Sequence, residues 1–234
     1  MLILKLTNII ILIILKFQVI ILSCRIYFIR HGESLGNKNE VFLGHTDIDL
    51  SPLGYAQAKE TASYLNNIHI DKVYSSDLSR AYNTCNEYLK LSGKKAQKKK
   101  ELREIFAGEW ENKKYSVLKT EYKESYETWL TDIGNAHPEN GESLGEVQRR
   151  VVDCVSDIAR SNDGKAVAIF THACALRTFI TYANHLPLSE MKNIKWATNA
   201  SVTVVDYIDG DFNVIEYSND LFLGELKSSR PKNV

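Results

Sequence analysis

The run Arg30-His31-Gly32-Glu33-Ser34 sets a cation, an imidazole and a glycine directly after the β-prone Ile26-Tyr27-Phe28-Ile29. An arginine offers a planar fork of N–H donors that matches phosphate oxygens. A neutral imidazole is a nucleophile toward phosphorus and can carry a phosphoryl group covalently. A glycine lets the backbone approach a bound anion and donate N–H bonds to it. Two later stretches offer matching chemistry: Ser75-Ser76-Asp77-Leu78-Ser79-Arg80 supplies a second guanidinium, and Thr171-His172-Ala173 a second imidazole. Two arginines and two histidines in one place would hold a dianion with side-chain cations alone, without a metal. The reaction also needs an acid that protonates the leaving oxygen and later takes a proton from water. Glu104, in Leu102-Arg103-Glu104-Ile105, is the candidate.

Each group alone has a plainer reading. His172 could be a hydrogen-bonded core histidine, Arg80 the ion-pair partner of Asp77, and Glu104 an exposed glutamate. His45, His69, His137 and His185 have only such readings, although His45 falls near the expected pocket mouth. Weight comes from their joint occurrence at the ends of strands.

The elements that must position these groups follow from pattern. A strand is expected from Arg25, and Ser51-Pro52 supplies an N-cap and N1 proline for a helix with Ala58, Ala62 and Leu65 on one face. Lys72 to Ser75 reads as a strand and residues 78–91 as a helix stopping at Gly93. A polar, aromatic helical excursion spans about 108–140. Ser143-x-x-Glu146 forms a capping box, after which Val147, Val151, Val155 and Ile158 recur on one helical face. Ala166 to Phe170 is a continuous apolar run, as in a strand covered on both faces. A helix over about 175–185 and two strands, 201–207 and 212–217, close the chain. Strands alternating with helices predict an α/β fold: three layers, α/β/α, with a mostly parallel central sheet. Ligands in such folds bind beyond the carboxyl ends of the strands. The three reactive stretches would therefore share one rim.

Composition narrows the partners. Twenty-nine basic residues balance twenty-nine acidic ones, so no overall field favours nucleic acid. The basic run from Lys94 to Lys100 lacks interleaved aromatics and reads as a solvated loop. Cys24, Cys85, Cys154 and Cys174 form no CxxC pair, which argues against a zinc site or a disulfide framework. Scattered thiols fit a reducing, cytoplasmic compartment. Residues 1–24 hold sixteen Leu, Ile, Val or Phe, two lysines and no acid. They read as a hydrophobic leader: a membrane anchor, a signal ending at Cys24, or a start assigned too early. The anchor reading carries the alternative location, a membrane-anchored domain. A single domain over 25–234 then has 27 basic and 29 acidic residues, a net charge of −2.

Several blocks together resemble the histidine phosphatase superfamily, which includes cofactor-dependent phosphoglycerate mutase. "RHGES", Arg30 to Ser34, matches its signature and is followed by Asn37 and Gly44. "DIDLSPLGYAQA" (47–58), "SSDLSRA" (75–81), "LREI" (102–105), "GES" (141–143), "THA" (171–173), "NASVTV" (199–204) and Asn219-Asp220 match later blocks. The resemblance implies a phosphoglycerate mutase-like fold and a phosphohistidine at His31. It implies Arg30, Arg80 and His172 on the phosphoryl oxygens, Glu104 as proton donor, and Gly32, Asn37, Gly44 and Ala173 as further phosphate-binding positions. No metal or other cofactor is implied, and the expected partner is a small phosphorylated substrate.

Two positions depart from the family pattern. Ala173 and Asn112 stand where glycine is usual. Mutases of the family place Ser or Thr where this chain has Leu43, and carry paired arginines after the proton donor. No arginine lies between Glu104 and Arg149 here. "EIFAGEWENKKYSVL" instead resembles the short phosphatase branch. The expectation is a phosphomonoesterase; mutase-type transfer and a phosphate-binding module with little turnover are the alternatives.

Overall fold

The computed structural model describes residues 23–228. In chain order its elements are β1 (Ser23–Arg30), α1 (Leu35–Lys38), β2 (Val41–Phe42), α2 (Pro52–Asn66), β3 (Lys72–Ser75), α3 (Ser79–Ser92), β4 (Ala96–Lys98), β5 (Lys113–Lys114), α4 (Tyr115–Glu121), α5 (Lys123–Thr131), α6 (Leu144–Arg160), β6 (Lys165–Thr171), α7 (Ala173–Ala183), β7 (Val202–Ile208) and β8 (Asp211–Asn219). Six strands form one sheet in the order β4-β3-β6-β1-β7-β8. The first four run parallel, and β7 and β8 are antiparallel additions.

Side-chain alternation along the central strands creates two cores. Cys24, Ile26 and Phe28 of β1 and Val167 and Ile169 of β6 face α6 and α7. Ile29 of β1 and Ala168 and Phe170 of β6 face the opposite side, where Ala62 and Leu65 of α2 and Cys85 and Tyr88 of α3 cover them. Helices on both faces explain why β6 reads as an unbroken apolar run. The Ser143–Glu146 capping box is formed, and α6 buries Val147, Val151, Val155 and Ile158.

Boundaries move slightly from the sequence reading. β1 opens at Ser23, so Cys24 is a buried sheet residue aligned with Lys165 and Tyr207. Of the leader read over residues 1–24, residues 1–22 lie outside the described residues, while Ser23 and Cys24 belong to β1. Within those described, no helix is long and apolar enough to cross a membrane. The lysine-rich stretch is not all loop: Ala96–Lys98 pairs with β3 as the sheet edge. Lysines suit an edge strand because they oppose pairing with another chain. Lys98 also sets its ammonium 3.6 Å from the Tyr82 ring centroid.

The excursion contains α4, α5 and short 3₁₀ turns, pinned to the main body by an aromatic cluster. Fully buried Trp110 packs edge-on to Phe42, Tyr126 and Trp129, and its Nε1–H donates to Glu139 at 2.8 Å. Trp110→Ala is expected to cost about 3–5 kcal/mol, the usual range for truncating a buried aromatic. Urea unfolding of the variant beside the parent measures it.

Candidate active site

Parallel pairing of β3, β6 and β1 brings their carboxyl ends together. The rings of His31 and His172 lie 5.1 Å apart, and His172 Nε2 is hydrogen-bonded to Ser76 Oγ at 2.8 Å. All three strand endings thus meet at one rim. They border a cavity of about 390 Å³ that Arg30, His31, Asn37, Arg80, Glu104 and Ala173 help to line.

His31 is buried beneath the sheet end, with its backbone N–H donating to Thr171. Its Nδ1–H donates to the Gly32 carbonyl at 2.7 Å, which places the ring's lone pair on Nε2. Burial, then the charges of Arg80 and Arg30, hold this imidazole well below the ordinary range. His172 is pushed the same way by burial, Arg80 and His31. Both rings are therefore neutral near pH 7.

Arg80 is buried and Arg30 half-buried, and among the described residues neither forms an ion pair with a carboxylate. Arg80 donates Nη1 to Thr46 O at 2.9 Å and Nη2 to Gly44 O at 2.7 Å. Arg30 donates Nη1 to Ala197 O at 2.5 Å. Carbonyl dipoles steady these charges without cancelling them. Desolvation lowers both guanidinium pKa values, that of Arg80 to about 10. Arg30 Nε, Arg80 Nε and His172 Nδ1 are buried with no hydrogen-bond partner. Buried polar atoms are normally satisfied, so such a cluster of donors is suited to an anionic ligand. Asp77, the expected partner of Arg80, instead forms a two-point pair with Arg103 at 2.6 Å.

Glu104 sits at the start of α7. Its Oε1 accepts from the N–H groups of Cys174 (3.1 Å) and Ala175 (3.2 Å), two of the donors that a helix leaves unmatched in its first turn. It also accepts from its neighbour Ile105 N at 3.1 Å. Instead of the apolar surroundings that Leu102 and Ile105 suggest, three backbone donors orient this carboxylate. Oε2 is the less committed oxygen, with one contact at 3.2 Å from Cys174 N.

The remaining predicted positions divide. Asn37 lines the cavity, its Oδ1 accepting from Ser34 N at 3.1 Å and from Asn199 Nδ2 at 3.3 Å. Gly44 adopts φ +50°, and a Cβ there would meet Glu111 Oε1 at 2.1 Å. Gly32 has a different task from the one read in the sequence. Its N–H is committed to Thr84 Oγ1 at 3.0 Å, and a Cβ would lie 2.5 Å from Gly54 O. Close crossing of two backbones accounts for that glycine. Ala173 is the first residue of α7 and is not among the residues with positive φ, so the missing glycine costs no backbone strain. Asn112 does occupy the left-handed region at φ 60°, which asparagine tolerates better than most residues. His45 stands beside the site, its ring nitrogen hydrogen-bonded to Glu104 O at 2.8 Å.

Glu111, Ser76, Asn199 and Arg177 are neighbours that sequence reading did not single out. Glu111 binds the backbone N–H groups of His45 (2.7 Å), Thr46 (2.6 Å) and Ala107 (2.9 Å), fixing the loop whose carbonyls hold Arg80. The Trp110-Glu111 pair was visible as family pattern, but its clamping role depends on contacts more than sixty residues away in sequence. Among the described residues, no group of three or more His, Cys, Asp or Glu is placed to hold a metal ion.

The histidine phosphatase superfamily (branch 1) family model matches residues 26–220, and the chain belongs to that family. It is a phosphatase by class. Among its relatives, the adenosylcobalamin/alpha-ribazole phosphatase of Salmonella typhimurium is 32% identical over 169 residues, covering 71% of this chain and 83% of that one. Phosphoserine phosphatase 1 of Hydrogenobacter thermophilus is 26% identical over 202 residues, covering 86% and 95%. The solved structure of Bacillus stearothermophilus YhfR shares the fold, with a TM-score of 0.81 at 24% identity over 84% of this chain and 97% of that one.

The buried neutral imidazoles make a pH prediction. An unfolded histidine takes up a proton below about pH 6.5, whereas His31 and His172 in the fold resist it. Their contribution is complete above that pH and falls on acidification, by up to about 1.4 kcal/mol per pH unit for each. Urea midpoints from pH 7 to pH 5.5 in phosphate-free buffer should therefore drop more steeply for the parent than for a His31→Gln, His172→Gln double variant. Equal slopes would refute the buried neutral pair.

Proposed function

We propose that the protein is a metal-independent phosphomonoesterase that hydrolyses small phosphate esters through a phosphohistidine on His31. The observation that carries this reading is the set of unpartnered nitrogens on Arg30, Arg80 and His172 around a neutral His31. They match the oxygens of a phosphoryl group, whose charge is spread in the transition state. The Ala173 N–H, first in α7, has no intrahelical acceptor and can add a further donor.

In the first step His31 Nε2 attacks phosphorus while the P–O bond to the leaving group breaks. Glu104 delivers its proton from Oε2 to the departing oxygen. In the second step Glu104 takes a proton from water as the hydroxide attacks phosphorus. The P–N bond breaks, its electron pair returns to His31, and inorganic phosphate leaves. Hydrolysis is favoured over mutase transfer because Leu43 offers no hydroxyl at the cavity wall and the excursion contributes no arginine. Its cavity face is apolar and aromatic instead, with Tyr115, Trp129 and Ile133. The four cysteines are all free and buried, which supports a reducing, cytoplasmic setting for the folded domain.

Phosphate release from a panel of monoesters in the presence of chelator tests this, beside a 3-phosphoglycerate mutase assay. Release is expected from the parent and none above background from His31→Ala. Glu104→Gln should lower kcat about 10²- to 10⁴-fold with little change in KM, as loss of a general acid does. Mutase turnover with negligible release would overturn the hydrolase reading. Failure to trap phosphohistidine by mass spectrometry on rapid quenching would favour a binding module.

A further inference from the structure

Among the described residues four buried side-chain nitrogens lack partners, and the fourth does not belong to the phosphate cluster. It is Nε of Arg177 on α7. Arg177 is 5% exposed and lines the same cavity. Only one of its donors has an acceptor, Nη2 to Lys192 O at a long 3.3 Å. Its guanidinium lies over the Trp196 ring, 4.2 Å from the centroid, which fixes the plane of the fork. No carboxylate among the described residues is paired with it. Among the described residues Glu104 is the only acidic one lining the cavity, and it is turned onto the α7 N–H groups. Lys192 and Lys195 add positive charge at the exposed rim.

Packing alone does not account for this residue. A leucine would fill the space against Trp196 without the cost of burying an unpaired charge. A single guanidinium with a free, planar edge matches a monoanion that has two coplanar oxygens. Arg177 is one helical turn beyond Ala173, about 6 Å along the axis. That is a short span from the phosphoryl end to a second charge on a small molecule.

Resting on the phosphatase reading above, we propose that Arg177 is a specificity residue that binds a carboxylate of the substrate. The preferred esters are then small phosphorylated acids. Arg177 takes no part in the bond-breaking steps. It holds the far end of the ester and so aligns its phosphorus with His31.

The test compares kcat/KM for O-phosphoserine with that for O-phosphoethanolamine, which lacks only the carboxylate. The parent should prefer phosphoserine, and Arg177→Met should shrink the preference ratio roughly 10- to 100-fold, mainly through KM, as expected for a charge-assisted hydrogen bond. Arg177→Lys, which keeps the charge and loses the fork, should recover part of the ratio. Equal use of both esters by the parent overturns the proposal without any variant, as does a preference that survives Arg177→Met. If the parent releases phosphate from neither ester nor from p-nitrophenyl phosphate, the phosphatase reading itself fails, and that outcome is distinct from a phosphatase indifferent to carboxylate.

Discussion

Two guanidinium groups, Arg80 fully buried and Arg30 half-buried, are drawn away from water with no carboxylate paired to them among the described residues, and much of the surrounding structure follows from that. Removing an unpaired charge from solvent costs several kcal/mol. The chain offsets part of this with backbone carbonyls: Gly44 and Thr46 for Arg80, Ala197 for Arg30. Each carbonyl must be aimed, and the aiming is what the loops are built for. Gly44 turns through a left-handed conformation, Glu111 ties down the N–H groups of His45 and Thr46, and Asn199 anchors the loop after Ala197 to the His31 carbonyl. Because the compensation stops short of neutrality, a dianion entering the site completes it. Such a ligand stabilises the fold by mass action as well as binding to it.

Helix α7 shows how one element serves two demands. A helix N-terminus attracts anions through its unmatched N–H groups. Here the donors of Cys174 and Ala175 hold Glu104, so the helix positions the proposed proton-transfer group and the first residue, Ala173, remains at the cavity. Further along, Arg177 projects from the same helix. The register of α7 therefore sets the spacing between Glu104, Ala173 and the Arg177 guanidinium, the proposed proton donor, phosphoryl site and second cation. His172, its N-cap residue, joins that array to β6 and, through Ser76, to the end of β3.

The sequence made the strand-end chemistry legible because each reactive group sits next to an apolar run that defines its strand. Arg30-His31, Arg80 and His172 could be placed on one rim from the strand–helix alternation together with the motifs, and Glu104 from its place in the joint pattern. What stayed hidden depends on pairs distant in sequence. Gly32 reads as a phosphate-facing glycine until its Cβ position is found against Gly54 O. Glu111 reads as one of many acids until it is seen gathering three backbone N–H groups. Of the two positions where glycine is usual, Ala173 has an ordinary conformation and Asn112 a left-handed one, a difference that residue type alone does not reveal. β4 was missed because a strand at the sheet edge needs no apolar alternation.

The site is assembled from two kinds of structure with different tolerance for change. The phosphoryl end rests on β1, β3 and β6, whose side chains belong to the two cores, so moving any of its groups disturbs packing on both faces of the sheet. The opposite wall comes from α4, α5 and the segment around Trp196, elements outside the sheet. Substitutions there can alter the shape and charge of the cavity without shifting His31 or its ligands. A fixed reaction on the sheet and an adjustable wall beside it is a physical route by which relatives sharing this fold can act on different phosphate esters. In this chain that wall is mainly aromatic and apolar, so the charge opposite the phosphoryl end falls to Arg177 of α7 and the rim lysines.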